Sequence, residues 1–159
     1  MARKSFCEIY IHLIWRTRFN KPILGGDLEL FVHRRMREIG EELKLNPLAV
    51  GSAWNHIHSY FRWHPSVAVS DAVRLMKSQT ATEWNKEYGS DQLRWQIGYG
   101  AVSTRTSDVA TVQQYVDDQK SHHQHDKIWD AFERIEYDEN GPARNPTKNI
   151  IEKTNQLPR

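Results

Sequence analysis

The sequence has little cysteine and no long hydrophobic run. Cys7 is the one cysteine among 159 residues, so an internal disulfide framework is excluded and a reducing compartment is favoured. The longest apolar run falls far short of the roughly 20 residues that cross a membrane. The opening MARKSF lacks the apolar core of a signal peptide. We therefore expect a cytoplasmic protein with a single core-forming domain.

Charge of one sign and glycine-rich loops are also scarce. The formal net charge is only +2, which permits a nucleic-acid partner without requiring one. The sequence has no phosphate loop of the GxxxxGK[ST] type, so nothing indicates a reaction driven by a nucleoside triphosphate. Tryptophan, by contrast, occurs six times. Its flat ring can stack on unpaired bases, although packing against other side chains is its more common role.

Hydrophobic periodicity predicts seven elements along the chain. Residues 7–17, CEIYIHLIWRT, alternate and predict a strand with one face in a core. The same reasoning predicts strands at 48–54, 56–63 and 97–104, and helices at 27–44, 70–84 and 107–121. This order predicts an α+β fold, in which a ferredoxin-like βαββαβ antiparallel sheet carries two helices on one face and is followed by a C-terminal helix.

Two histidines lie one residue apart in WNHIHSYFRWHP, residues 54–65. Side chains two apart on a strand point the same way, roughly 6.5 Å apart along the chain. His56 and His58 therefore present two imidazoles on one face. This is a partial metal site that needs a further ligand from elsewhere. Taken alone, the stretch is more often a pair of ordinary strand histidines.

A second polar pair lies in VQQYVDDQKSHH, residues 112–123. Tyr115 and Gln119 are four residues apart, so they share one face of the predicted helix. They flank its apolar stripe, so the packed side of the helix holds them while their polar ends reach a neighbouring surface. An amphipathic tyrosine and a solvated glutamine are the common alternative for such a pair.

Together these stretches resemble the single-tyrosine HUH transposases, the small enzymes of hairpin-ended insertion sequences, and in particular the REP-associated tyrosine transposases. The resemblance covers residues 6–130. Its most specific stretch is WQIGYGAVSTRTSDVATVQQYVDDQKSHH, and it also includes IHLIWRTRFNKPIL, NHIHSYF and VSDAVRLMKSQTATEWN. The polar, proline-containing segment that follows has no counterpart in the family. We therefore predict a transposase domain at residues 1–132 and a polar C-terminal tail at residues 133–159.

The resemblance implies a reaction on single-stranded DNA at hairpin-marked element ends. Tyr115 would attack a phosphodiester to form a 5′-phosphotyrosine link, which a second DNA 3′-hydroxyl would then displace. A divalent ion, Mg²⁺ or Mn²⁺, would be held by His56, His58 and Gln119. The family also implies a homodimer, in which the tyrosine helix of one subunit can serve the histidines of the other. The candidate DNA contacts are Arg16, Arg18, Lys21 and Arg105.

Several features depart from the family pattern or allow other functions. Asn55 stands where the family usually has aspartate. His12 falls on the polar side of the first strand, where an ordinary strand histidine is favoured, and the histidines of HHQH, residues 122–125, suit a helix C-terminus. Without cysteines, HHQH does not indicate structural zinc. The alternative functions are a catalytically inactive hairpin-binding protein, another HUH nickase, and a metal-dependent hydrolase of small phosphoesters.

Overall fold

The computed structural model describes residues 5–125 and 127–135. The predicted tail lies outside these described residues from position 136 onward. Within the part of the chain that is described, no helix has the length and apolar character needed to cross a membrane. The elements are β1 (Tyr10–Arg16), α1 (Gly26–Glu42), β2 (Asn46–Ser52), β3 (His56–Arg62), α2 (Val69–Glu87), β4 (Gly100–Thr104), α3 (Val109–Asp117), α4 (Gln119–Gln124) and α5 (Asp130–Glu133).

The four strands form one antiparallel sheet in the order β2-β3-β1-β4. The two central strands, β1 and β3, pair so that Ile14 lies opposite His58 and Arg16 lies opposite His56. With α1 and α2 as the connecting helices, this is the predicted ferredoxin-like βαββαβ arrangement. The α+β fold class is therefore confirmed.

The larger core lies between the sheet and helices α1 and α2. Trp15, Ile57 and Phe61 are fully buried there. They meet the apolar stripe of α1, which consists of Leu28, Val32, Met36 and Ile39. Burying one side chain of this size stabilises the fold by about 1.5–3 kcal/mol, so this face supplies most of the hydrophobic driving force.

The opposite face of the sheet is also covered. Helices α3 and α5 pack over it and form a smaller cluster that includes Tyr10, Tyr60, Val112 and Val116. The sequence predicted one buried face for β1, but the structure buries both, because α3 and α5 cover the second face. The histidines of β3 are therefore enclosed in the protein rather than displayed on an open sheet.

Helix α3 touches β2 at Gly51. A Cβ atom built on Gly51 would lie 1.8 Å from the carbonyl oxygen of Val116, a distance that no side chain can occupy. Glycine thus allows the backbone of α3 to rest directly on the strand. Because Tyr115 precedes Val116 in the chain, this contact also sets how far the tyrosine stands from the sheet.

The helix predicted at 107–121 is not continuous. A short 3₁₀ turn, Thr106–Asp108, precedes α3, and Asp118 separates α3 from α4 with φ −99° and ψ 26°. The side-chain Nε2 of Gln119 donates to the backbone oxygen of Tyr115 at 2.8 Å. In an uninterrupted α-helix that oxygen accepts from the backbone N–H of residue 119, so a side chain takes over a helical hydrogen bond at the break.

We expect Gly51→Ala to lower the free energy of unfolding by about 2–3 kcal/mol, because the new methyl group meets backbone that cannot rotate away. Urea denaturation followed by circular dichroism measures the change. Gly25→Ala is the matched control. Its new Cβ would meet only the exposed ring of Trp54, at 3.2 Å, and we expect a loss below about 1 kcal/mol. Equal losses in the two variants would contradict the proposed contact.

Candidate active site

The paired histidines of β3 are buried on the sheet face covered by α3 and α5. His56 is 2% exposed and His58 is fully buried. Each ring is fixed through its Nδ1 atom: His56 Nδ1 lies 2.7 Å from Asn55 Oδ1, and His58 Nδ1 lies 2.8 Å from His12 Nε2. With Nδ1 engaged in this way, Nε2 of both rings is turned toward the same space.

Two further side chains enter that space from outside β3. His123 Nε2 on α4 lies 3.0 Å from His56 Nε2. The carboxylate of Glu133 on α5 lies 3.2 Å from Nε2 of both His56 and His58. One donor atom from each of the four residues lies within 4.8 Å of all the others. This grouping is called the His–Glu cluster below.

Tyr115 lies beside the His–Glu cluster of its own chain. Its ring centroid is 6.0 Å from that of His58, and its hydroxyl donates to Glu133 Oε1 at 2.7 Å. The backbone N–H of Trp129 donates to the same hydroxyl at 3.0 Å. The phenol ring stacks on Trp129 at 4.6 Å and on His122 at 4.8 Å. These contacts leave Tyr115 only 2% exposed.

Gln119 lies at the start of α4, next to Tyr115. Its Nε2 is used by the Tyr115 carbonyl, as described above, while its Oε1 is buried and has no hydrogen-bond partner among the described residues. Nε2 of His58 is likewise buried without a hydrogen-bond partner there. Buried polar atoms that lack partners are costly. A divalent cation would satisfy them, so the donor set fits a metal site.

The electrostatics of the site follow from its burial. Burial lowers the pKa of His58 to about 4, although the Glu133 carboxylate opposes this shift. Burial would raise the pKa of the Glu133 carboxyl, but His56 and His58, whose Nε2 atoms lie 3.2 Å from the carboxylate, outweigh it and hold that pKa well below its usual value. At neutral pH the cluster therefore contains a neutral His58 imidazole and an ionised carboxylate.

The phenol of Tyr115 is held in its neutral form. Burial raises the pKa of Tyr115 well above its usual value, and the neighbouring Glu133 carboxylate raises it further. The N–H of Trp129 and the side chain of Gln119 oppose the rise. A cation placed among these groups would favour the phenolate instead, because its charge would offset that of Glu133.

The four predicted DNA contacts do not form a single group. Arg16 ends β1 opposite His56, and its charge is one of the influences that lower the pKa of His123. Arg18 and Lys21 line a pocket of about 300 Å³ on the loop after β1. Arg105 follows β4 at the other end of β1, roughly 20 Å from Arg16, and pairs with Asp108 at 3.0 Å.

Sequence reasoning missed Glu133, which ends α5 and was assigned to the predicted tail. It attributed His123 to a helix end, and it favoured an ordinary strand role for His12. The alternation of β1 already placed His12 on the same side as Tyr10, and antiparallel pairing with β3 then brings it to His58. No local pattern marks Glu133, because its position depends on α5 folding back over the sheet.

Comparisons with known proteins agree with this fold. The sequence matches the family model described as "Transposase IS200 like" over residues 5–119. A candidate transposase from Deinococcus radiodurans R1 is similar in structure, with a TM-score of 0.60 and 19% identity, covering 76% of this chain and 97% of that one. A REP-associated tyrosine transposase bound to a REP hairpin gives a TM-score of 0.55 and 14% identity, covering 80% and 75% respectively. Comparison with curated protein sequences returned no match.

The family match spans most of the chain and includes the paired histidines, Tyr115 and Gln119. The chain therefore belongs to the IS200-like transposase family. The two solved structures have low sequence identity, so their likeness establishes the fold that the chain shares with them.

We expect the ion-free protein to lose stability as the pH falls below 6.5, the unperturbed pKa of histidine. The pKa of His58 is 6.5 when unperturbed and about 4 in the fold. This contribution is therefore present above pH 6.5 and is lost as the pH falls toward 4. Between pH 7 and pH 5 the free energy of unfolding should drop by about 2 kcal/mol.

Urea denaturation in the presence of EDTA measures this pH dependence. In the matched variant His58→Asn, the amide can take the place of Nδ1 but has no proton to gain, so the pH dependence should flatten. Burial also lowers the pKa of His12, so a smaller pH dependence of stability, with the same sign, should remain in this variant. An unchanged slope in His58→Asn would show that another group is responsible.

Proposed function

We propose that this protein cleaves and rejoins single-stranded DNA at hairpin-marked element ends through a tyrosine-linked intermediate. The single observation that carries the proposal is the meeting of Tyr115 with the paired histidines in one chain, 6.0 Å between ring centroids at His58. Membership of the IS200-like transposase family supports it. The proposal requires no second subunit to assemble these groups. The proposal also includes a homodimer, in which α3 and α4 of one subunit would serve the paired histidines of the other.

The reaction is two successive transesterifications. The Tyr115 oxygen attacks phosphorus, its proton departs, and the bond to the 3′ oxygen breaks, which leaves a 5′-phosphotyrosine and a free 3′-hydroxyl. A second 3′-hydroxyl then displaces the phenol, which leaves as the weaker base. A divalent ion at His56, His58 and Gln119 would polarise the phosphodiester and stabilise its added charge. Each bond broken is replaced by an equivalent bond, so no external energy source is needed.

Access to Tyr115 is the first requirement of this reaction. Trp129 covers one face of the phenol ring and Glu133 holds its hydroxyl. The segment that carries them must therefore move before a DNA phosphate can approach the oxygen. Displacement of that segment also removes the carboxylate that raises the pKa of Tyr115. Opening thus makes the phenol both reachable and easier to ionise.

Hairpin DNA is the proposed partner, acting in the cytoplasm at the nucleoid. The solved relative whose structure contains a REP hairpin supports this choice. Arg18 and Lys21 line a pocket on the loop after β1, and Arg18 also lines a neighbouring groove of about 640 Å³ with Arg74 and Lys77. Clustered cations of this kind bind phosphates without reading base sequence. We propose that Arg16 and Arg105 contact the backbone elsewhere along the same DNA.

A catalytically inactive hairpin-binding protein is the second candidate function. The observation that favours it is the burial of Tyr115, which is 2% exposed and held neutral. Such a protein would bind hairpins through the basic loop residues and leave the phenol covered. The two functions differ in one measurable product, the covalent protein–DNA adduct.

We expect the wild-type protein, incubated with a labelled single-stranded hairpin and Mn²⁺, to give a covalent adduct on a denaturing gel. Tyr115→Phe removes the attacking oxygen, so the adduct should vanish while hairpin binding by gel shift is retained. The matched control is Tyr60→Phe, which deletes a buried hydroxyl on the same sheet face, bonded to Thr104. Tyr60→Phe should keep the adduct.

Two outcomes would count against the transposase mechanism. An adduct that persists in Tyr115→Phe would assign the nucleophile to another residue. Hairpin binding without any adduct, in wild type and variants alike, would favour the inactive binding protein.

Metal dependence is tested on the same gel. We expect EDTA to abolish the adduct and added Mn²⁺ to restore it, because burial and Glu133 otherwise keep the phenol neutral. His56→Ala should lose the adduct even at high Mn²⁺, whereas His64→Ala should behave as wild type, because His64 lies after β3, is partly exposed and bonds Ser66 outside the cluster. Adduct formation at an undiminished rate in EDTA would contradict a metal-dependent reaction.

A further inference from the structure

Helix α4 carries three side chains of the site but cannot fix its own position. Gln119 begins the helix, and His122 and His123 follow within it. The helix has only six residues and is separated from α3 by the break at Asp118. Because so short a helix is not stable by itself, contacts with the rest of the protein must hold it in place.

The contacts of α4 inside the site would be disturbed by the proposed reaction. His122 stacks on the phenol ring of Tyr115 at 4.8 Å. His123 Nε2 lies 3.0 Å from His56 Nε2 and 3.5 Å from Glu133 Oε1. Under the proposed function, a DNA phosphate enters this space and the segment that carries Glu133 leaves it. A contact that keeps α4 in place during the reaction has to lie elsewhere.

Lys120 makes such a contact outside the His–Glu cluster. Its ammonium group donates to Glu29 Oε2 on α1. The same group lies 4.2 Å from the centroid of the Trp54 ring, which is a cation–π contact. These interactions among Glu29, Trp54 and Lys120 are called the α4 anchor below. None of the three residues lies in the segment that must move, so the α4 anchor can persist when Tyr115 is uncovered.

The carboxylate of Glu29 is itself held in place by β2. Ser52 Oγ donates to Glu29 Oε1 at 2.7 Å. Since the single hydroxyl proton is used there, the imidazole of His33 donates in the 2.9 Å contact between its Nε2 and Ser52 Oγ. An isolated ion pair at a protein surface contributes little, whereas a network with fixed geometry contributes more. The carboxylate that Lys120 meets therefore has a defined position.

Trp54 connects the α4 anchor to the strand of the paired histidines. It lies in the turn between β2 and β3, two residues before His56. Its ring rests against Gly25, where an added Cβ would come within 3.2 Å of it. On the other side of the contact, Lys120 directly follows Gln119 in the chain. The α4 anchor thus joins the helix that carries Gln119 to the turn that leads into His56.

We propose that Glu29, Lys120 and Trp54 are positioning residues for the cleavage of DNA. They hold α4 so that Gln119 and Tyr115 stay beside the paired histidines after Tyr115 is uncovered. The inference rests on the proposed function, because it identifies what keeps that site assembled during the reaction. The three residues act through the backbone of α4. In a homodimer the same ion pair would form between subunits, since α4 would take the equivalent place on the other chain.

The rate of adduct formation by the full-length protein, with saturating hairpin and Mn²⁺, tests the proposal. Lys120→Met keeps most of the length of the side chain and removes its charge. We expect it to slow adduct formation about tenfold, because misplacing reacting groups by about 1 Å costs as much as about 100-fold. The dissociation constant of the hairpin, measured by gel shift, should be unchanged. Lys120→Arg keeps the charge and should restore most of the rate.

Glu29→Gln and Glu83→Gln form a matched pair of variants. Glu29→Gln weakens the ion pair with Lys120 and should slow adduct formation as Lys120→Met does. Glu83→Gln weakens an ion pair between α1 and α2, in which Arg35 Nε lies 2.8 Å from Glu83 Oε2, and this pair does not involve α4. It should form the adduct at the wild-type rate. Circular dichroism checks that both variants are folded.

Amide hydrogen exchange tests the α4 anchor separately from the reaction. Exchange in residues 119–124, measured by mass spectrometry without DNA or metal, reports the local opening of α4. It should be faster in Glu29→Gln than in wild type, because the helix has lost a contact with α1. It should be unchanged in Glu83→Gln.

Two results would overturn the proposal. Wild-type adduct rates and wild-type exchange in both Glu29→Gln and Lys120→Met would show that α4 is held without the ion pair. Equal slowing in Glu29→Gln and Glu83→Gln would assign the effect to overall stability rather than to position. A wild-type protein that forms no adduct would instead reject the proposed function, and the exchange measurement would still decide whether the α4 anchor exists.

Discussion

The rest of the structure depends on the register between β1 and β3. This pairing sets Ile14 against His58 and Arg16 against His56. The alternation of side chains along each strand then determines which face of the sheet each residue joins. Ile57 and Phe61 face the large core, while His56 and His58 face α3 and α5. A slip of one residue would exchange the two sets, placing the imidazoles in the large core and the apolar side chains of β3 against α3 and α5. The hydrophobic free energy of one face therefore specifies the chemistry of the other.

Enclosure gives the histidines their ligand character. On an open strand an imidazole turns to water, whereas here Asn55 and His12 hold the rings and burial keeps His58 neutral. Asn55, which departs from the aspartate usual in the family, still supplies an oxygen to His56. The same burial acts against Tyr115, because it disfavours the phenolate. Burial thus favours the neutral imidazole of a proposed metal ligand and disfavours the phenolate of the proposed nucleophile.

The sheet, its helices and the position of the paired histidines were predictable, because alternation and periodicity are local signals that long-range packing reinforces. The break at Asp118 was not predictable, since it depends on the side chain of Gln119 replacing a backbone donor. Glu133 was not predictable either. It lies in a stretch without a repeating pattern, and only the docking of α5 on β1 and β4 brings it to His56 and His58. Local sequence rules describe elements well, but they cannot locate a residue whose neighbours are distant in the chain.

The stack of Trp129 on Tyr115 has a thermodynamic consequence for substrate choice. Aromatic pairs of this kind contribute about 0.5–1.5 kcal/mol beyond their buried area, and in the proposed reaction a DNA strand that reaches the phenol would have to offset the loss of that contribution. Apparent affinity at the reactive centre equals the intrinsic affinity scaled by the fraction of molecules already uncovered. A single strand that binds only weakly would lack the binding free energy needed to increase the fraction of molecules in which Tyr115 is uncovered. Under the proposed function, only an oligonucleotide that is also bound elsewhere on the protein would supply it, so the Trp129 ring would favour such DNA over strands that contact the phenol alone.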